Sequence, residues 1–278
     1  MSVLRAAGKL WGALAQVLAG LFTIWLRFPP MSPAQREAAV QRWAARMLDV
    51  LGIDLIVHGT PCATGPMLLV CNHISWLDIL VIHAARYCRF VSKSDVKHWP
   101  LVGTLATGAG TLYIERSSRR DTMRVVHRMA DSLKAGEVVA IFPEGTSTDG
   151  LGLLPFHANL IQAAISAHAP VQPMALSFVD AVTGAYSPAP NYIGEDTLLE
   201  SLWRTLSVPR LAAVVRAAEV SAVMASFPRS AAMGRAGIKL LKHDDDRVDL
   251  FLEQCFEGFS ADRIGIQIGK PFIEKLNG

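Results

Sequence analysis

Beyond Gly52 the sequence alternates short β-rich runs with stretches of helical period, and few folds satisfy that order. Strands are predicted near Leu55–His58, Met67–Cys71, Arg89–Ser92, Thr111–Ile114, Val138–Phe142, Val171–Phe178 and Leu211–Val215. Helices are predicted near Leu77–Arg86, Arg119–Ala135, Ala158–Ala167 and Asp196–Leu206. Within the second of these, Asp121 to Lys134 has an amphipathic pattern, and Gly136 supplies a left-handed stop. Strands spaced by helices predict an α/β fold with a mostly parallel sheet flanked by helices. With 278 residues the chain is long enough to bury such a core. No internal repeat is visible.

The first fifty residues read differently. From Leu10 to Leu26 there is no charged residue, with Arg5 and Lys9 before the run and Arg27 after it. Its 17 residues, at about 1.5 Å each, reach roughly 26 Å, the short end of what crosses a bilayer. The run ends in Arg27-Phe28-Pro29-Pro30 rather than in the small residues of a cleavage site, so a retained membrane helix, spanning or re-entrant, is expected rather than a signal peptide. Trp11 and Trp25 stand near its ends, where amphipathic rings favour the headgroup level. Past the prolines a second helix is predicted from Ala34 to Leu51. Val40, Trp43, Met47, Leu48 and Leu51 recur on one face, and Arg36, Arg42 and Arg46 lie elsewhere on the wheel. A basic helix here would hold the following domain against a membrane face.

Composition narrows the function classes. Hydrophobic residues are 51% of the chain and charged residues 18%, which excludes a disordered or coiled-coil protein. The net charge of +3 is too diffuse for a nucleic-acid groove, so no nucleic-acid partner is expected. Cys62, Cys71, Cys88 and Cys255 form no CxxC pair, and Cys71 lies in an apolar run, so a reducing compartment is expected. The boundaries that follow are 1–52 for the membrane-anchoring helices, 53–216 for the α/β domain and 217–278 for a C-terminal region of unclear structure. That last region holds a charged cluster at Lys242 to Arg247 and a strand candidate at Ile264–Ile268.

Four stretches carry chemistry, all in or beside strands, where α/β proteins place their ligands. In Asn72-His73-Ile74-Ser75-Trp76-Leu77-Asp78 the histidine and aspartate cannot share a helix face, because five steps of about 100° leave them about 140° apart. They meet if His73 lies in the turn before the helix and Asp78 in its first turns. The carboxylate would then accept from Nδ1–H and leave Nε2 as a general base. An isolated His near an Asp is more often structural. In Gly110-Thr111-Leu112-Tyr113-Ile114-Glu115-Arg116 a strand delivers Arg116 to a sheet edge, suited to a phosphate or, equally, to a surface pair with Glu115. Phe142-Pro143-Glu144-Gly145-Thr146-Ser147 makes a loop whose N–H groups could approach an anion, or an ordinary turn. Val171-Gln172-Pro173-Met174-Ala175-Leu176 is a strand with an early proline.

In this order and spacing the four stretches closely resemble the glycerolipid acyltransferase family that includes bacterial 1-acylglycerol-3-phosphate acyltransferases. The N-H-x4-D block matches Asn72, His73 and Asp78, and the second block matches Gly110, Tyr113 and Arg116. The F-P-E-G-T block matches Phe142 to Thr146, and the V-x-P block matches Val171 and Pro173. The resemblance covers Asn72 to Leu176 and includes Lys93-Ser94-Asp95 and Trp99-Pro100. It implies His73 as general base with Asp78 as its partner, and Arg116 and Glu144 in the acceptor site, shaped by Gly145 and Thr146. It also implies Lys93 near the phosphate. The implied reaction moves a fatty acyl group from acyl-CoA or acyl carrier protein to a lysolipid hydroxyl, 1-acylglycerol-3-phosphate foremost. No further cofactor is needed, membrane lipid is the partner, and the active domain stands at the cytoplasmic face of the inner (plasma) membrane.

One departure bears on the acceptor. Family members that use glycerol phosphate acceptors usually read F-P-E-G-T-R-S, whereas this chain has Ser147-Thr148-Asp149. Loss of that cation removes a contact worth on the order of 1.5–3 kcal/mol when desolvated. The loop looks more like relatives that acylate lyso-ornithine lipids, which makes such a lipid the alternative acceptor. Two other classes compete. A zinc hydrolase would use Cys71, His73, Asp78 and His83, without support from an H-E-x-x-H or paired CxxC motif. A non-catalytic membrane-associated binding protein would have no reason to keep His73, Asp78 and Glu144 together.

Overall fold

The computed structural model describes residues 2–114 and 119–218. Arg116, Cys255, the charged cluster at 242–247 and the strand candidate at 264–268 lie outside them. The helices are α1 (Ser2–Phe22), α2 (Pro33–Leu51), α3 (Leu77–Ala85), α4 (Val102–Gly108), α5 (Arg119–Lys134), α6 (Ala158–Ala167) and α7 (Leu198–Ser207). The strands are β1 (Ile53–His58), β2 (Met67–Cys71), β3 (Arg89–Lys93), β4 (Leu112–Ile114), β5 (Val138–Ile141), β6 (Val171–Asp180) and β7 (Leu211–Ala217). A 3-10 helix, Ser94–His98, joins β3 to α4.

The strands form one sheet in the order β1-β7-β6-β2-β5-β3-β4. All neighbouring pairs are parallel except β6 with β7. The central strand β2 reads Met-Leu-Leu-Val-Cys with every residue buried, as a strand covered on both faces must. Its alternate side chains serve two cores. Met67, Leu69 and Cys71 pack with α2, α3 and α7 residues such as Leu48, Ile82 and Leu206. Leu68 and Val70 pack on the other face with Met129 and Leu133 of α5 and Ile161 of α6.

Helix α2 opens on a Ser32/Gln35 capping box with Pro33 in its first turn and closes at Gly52, whose φ is +67°. Helix α1 is carried on to Arg27 by a π-helical turn, Thr23–Arg27. The span Leu4–Arg27 is long and apolar enough to cross a membrane by length and composition. It nevertheless packs on the rest of the chain. Trp43 Nε1 donates to Gln16 O at 2.8 Å, and Gln16 Nε2 returns a bond to Trp43 O at 3.2 Å. Glycines let the backbones approach. A Cβ on Gly12 would stand 2.8 Å from Val50, and one on Gly20 would stand 2.6 Å from Trp43 and 2.8 Å from Leu105 of α4. On the outward side Leu4, Trp11, Leu14, Leu18, Phe22 and Trp25 remain exposed at spacings of three, four and seven, one continuous apolar stripe.

Candidate active site

Parallel strands bring their carboxyl ends to one edge of the sheet, and β2, β5, β3 and β4 end there side by side. Asn72 and His73 follow β2, Glu144 follows β5, and Lys93 ends β3. Asn72 fixes the end of β2 to β6. Its Nδ2 donates to Leu176 O at 2.9 Å, and its Oδ1 accepts from Leu176 N at 2.7 Å. The next residue is thereby delivered from a rigid strand end.

The structure brings His73 and Asp78 together. His73 sits in the turn before α3 and Asp78 in that helix's first turn, with Nδ1 and Oδ2 2.7 Å apart. Oδ2 also accepts from Ile74 N at 2.6 Å and Ser75 N at 2.9 Å. An oxygen already taking two N–H groups is an acceptor, so the ring Nδ1 carries the hydrogen and Nε2 holds the lone pair. The His73 side chain is 22% exposed whereas Asp78 is wholly buried. The aspartate orients, and the imidazole remains reachable. The ring stacks on Phe142, the residue after β5, with centroids 4.1 Å apart, and Phe142 stacks in turn near Phe90 of β3. Nε2 has no hydrogen-bond partner among the described residues.

Glu144 is buried, and both its oxygens are engaged. Oε1 accepts from His73 N at 2.8 Å and Oε2 from Leu154 N at 3.0 Å. Burial pushes its carboxyl above the usual range, opposed by those two N–H groups. Gly145 has φ +74°, and a Cβ there would stand 2.9 Å from the His157 ring, so the loop needs this glycine twice over. Thr146 is exposed. Ser147 Oγ donates to Tyr192 O, while Thr148 N and Oγ1 donate to His73 O at 2.8 and 3.2 Å. The loop therefore braces the histidine from both sides.

Lys93 is exposed, two strand positions from β2. Next to it lies a cavity of about 300 Å³ whose walls include Lys97 and His98 of the 3-10 helix, Tyr113 of β4, and Arg124 and Arg128 of α5. Arg128 Nη1 donates to Tyr113 O at 3.4 Å. Sequence reasoning missed these cations. The signal was the four-residue spacing of Arg124 and Arg128, which places both on one side of α5.

Among the described residues, no group of three or more His, Cys, Asp and Glu is placed to hold a metal ion, and Cys71, His73, Asp78 and His83 do not form one. Burial pushes the Cys71 thiol up, with Asp78 adding to the shift. His83 is packed edge-on against Phe90, and its pKa is lowered to about 4 by burial.

A family model described as acyltransferase matches residues 54–177, the stretch that builds this site. A 1-acyl-sn-glycerol-3-phosphate acyltransferase of Neisseria meningitidis is 39% identical over 181 residues, 64% of this chain and 70% of that protein. A lyso-ornithine lipid O-acyltransferase of Pseudomonas aeruginosa is 41% identical over 172 residues, 62% of this chain and 65% of that protein. The chain thus matches about two thirds of the length of these relatives. Among solved structures, the 1-acyl-sn-glycerophosphate acyltransferase of Thermotoga maritima superposes with a TM-score of 0.58 at 16% identity, covering 93% of this chain and 96% of that one, a likeness of fold. With 39% identity over 70% of the Neisseria protein, and a family model that matches the stretch holding His73, Asp78 and the bracing loop, the chain belongs to the acyltransferase family.

Proposed function

We propose that this chain transfers a fatty acyl group from a thioester, acyl-CoA or acyl carrier protein, to the free hydroxyl of a lysolipid, with 1-acylglycerol-3-phosphate as acceptor and phosphatidate as product. The observation that carries the reading is the His73 imidazole, held through Nδ1 by buried Asp78 at 2.7 Å and still partly exposed. Nε2 takes the acceptor's O–H proton as that oxygen attacks the thioester carbonyl. The new C–O bond forms, the tetrahedral intermediate collapses with loss of the C–S bond, and the imidazolium returns its proton to the departing thiolate. Asp78 stabilises the imidazolium between these events. Glu144 serves by holding the His73 backbone, and the loop at Gly145 and Thr146 shapes the entrance. A thiolate leaves readily, so the scheme needs no metal, and a chelator should leave turnover unchanged.

For the acceptor phosphate, the cations at Lys93 and in the cavity beside it support the reading, and Arg116 joins them by family resemblance. Membrane attachment runs through the outward stripe of α1, with the catalytic edge at the cytoplasmic face. One observation favours a second acceptor. Where phosphate-using relatives have arginine, Ser147 is tied to Tyr192, which fits a lyso-ornithine lipid, the substrate class in the name of the Pseudomonas relative. A panel with one acyl donor and three acceptors decides between them: lysophosphatidate, lyso-ornithine lipid and glycerol 3-phosphate. The expected order has lysophosphatidate first. Faster turnover of lyso-ornithine lipid moves the conclusion to the second reading, and transfer to none of them overturns both.

A further inference from the structure

From Lys97 to Val102 six consecutive residues are exposed, and four of them, Trp99-Pro100-Leu101-Val102, are apolar. Trp99 is 44% exposed, Leu101 46% and Val102 40%. A water-facing turn has no reason to show three large apolar side chains in a row. Nor is this turn loose. Val102 N donates to Pro100 O at 2.6 Å and Gly103 N to Trp99 O at 2.9 Å. Leu101 sits between them at φ +62°, ψ −52°, the rare and strained form of γ-turn, in a residue that is not glycine. A Cβ on Gly103 would stand 2.2 Å from Lys97 O, so the start of α4 is pressed onto the 3-10 helix with no room for another residue. The fold spends strain to hold Leu101 outward.

The neighbours say what the turn faces. Helix α4, which the turn starts, lies on the end of α1, with Leu105 against Gly20 and Gly108 against Ile24. Four residues at about 1.5 Å put Leu101 only about 6 Å along the helix axis from Leu105. Beside those α1 contacts, Phe22, Trp25 and Leu26 are exposed, at the end of the outward apolar stripe. On the other flank, Lys97 and His98 line the cationic cavity. Apolar tips bordered by a tryptophan and by cations form the pattern of an element that enters one leaflet beside anionic headgroups. Asp95 is the acidic residue of the 3-10 helix, and Trp99 lies beyond it.

We propose that the Trp99–Val102 turn inserts into the same leaflet as α1 and forms the membrane-side lip of the cavity lined by Lys97, His98, Arg124 and Arg128. A lysolipid then reaches Lys97, Arg124 and Arg128 by lateral movement, with its acyl chain still among the lipids. The inference rests on the membrane-bound reading of α1, and its test separates the two. In the full chain with Cys255→Ser, Val102→Cys or Leu18→Cys is labelled with an environment-sensitive fluorophore, the described cysteines all being buried. Vesicles of phosphatidylglycerol and phosphatidylethanolamine with brominated acyl chains are then added. Both labels should shift to the blue and be quenched. A quenched label at position 18 with a water-exposed label at 102 overturns the insertion and leaves the anchor standing. Two water-exposed labels overturn both. As a functional arm, Trp99→Ser with Leu101→Ser should slow transfer to vesicle-borne lysolipid about tenfold, the scale of losing part of an apolar insertion. Transfer to a short-chain acceptor dissolved in water should be unchanged. Equal loss on both acceptors, or loss on neither, overturns the role as lip.

Discussion

The site is built by carboxylates that accept backbone N–H groups. Asp78 Oδ2 takes two of them besides the imidazole, and Glu144 takes one from each side of the cleft it closes. In Glu144→Gln one oxygen becomes an NH2 group, so either His73 N or Leu154 N is left facing a donor. A buried donor without a partner costs about 1–3 kcal/mol. Denaturation should show that loss, and kcat should fall with little change in KM, since His73 is displaced rather than removed. His83 makes a separate prediction. Its folded pKa of about 4 lies below the ordinary 6.5, so the unfolded chain binds the extra proton between those values. Its contribution to stability is complete above pH 6.5 and is lost as the pH falls toward 4, on the order of 3 kcal/mol. Denaturation midpoints at pH 7 and pH 5 should converge in His83→Leu relative to the parent. Equal pH sensitivity in the two proteins would mean that other groups govern acid stability.

Elements differ in how far the sequence revealed them. The long amphipathic α5 and the all-apolar β2 were legible because period and burial agree, in α5 from Met123 onward and in β2 throughout. Helix α4 was not. It is seven residues with Gly103 and Gly108 among them, a poor helix by propensity, and it is held by contact with α1 that no local pattern encodes. The reversal at β6 and β7 was hidden for a related reason, since strand direction depends on the route taken through α7 rather than on residue pattern. Spacing allowed His73 and Asp78 to meet and the family resemblance gave them their roles, while the bracing of His73 by Thr148 and the basic cavity come from residues far apart in the chain. Gly20→Leu would drive a side chain into Trp43 and Leu105, and such overpacking costs about 1–3 kcal/mol. Limited proteolysis should cut the α1–α2 junction of that variant faster than in the parent, while the sheet resists as before.

One sheet edge gathers His73, the loop that braces it and the cavity lined by Lys97, Arg124 and Arg128, and in the proposed reading the N-terminal helices hold that edge beside a membrane. That reading gives the chemistry to a single proton acceptor, His73, and leaves the other residues to place substrates around it. The central claim is therefore tested by acyl transfer from a thioester to lysophosphatidate by the purified chain, with His73→Ala and Asp78→Asn beside it. Removing one member of such a unit costs about four to six orders of magnitude in kcat, and the two losses together should not exceed the larger one. Circular dichroism of His73→Ala should match the parent, with thermal unfolding somewhat lowered by the lost stacking on Phe142 and bond to Asp78. A folded His73→Ala protein that turns over at the parental rate would contradict the account.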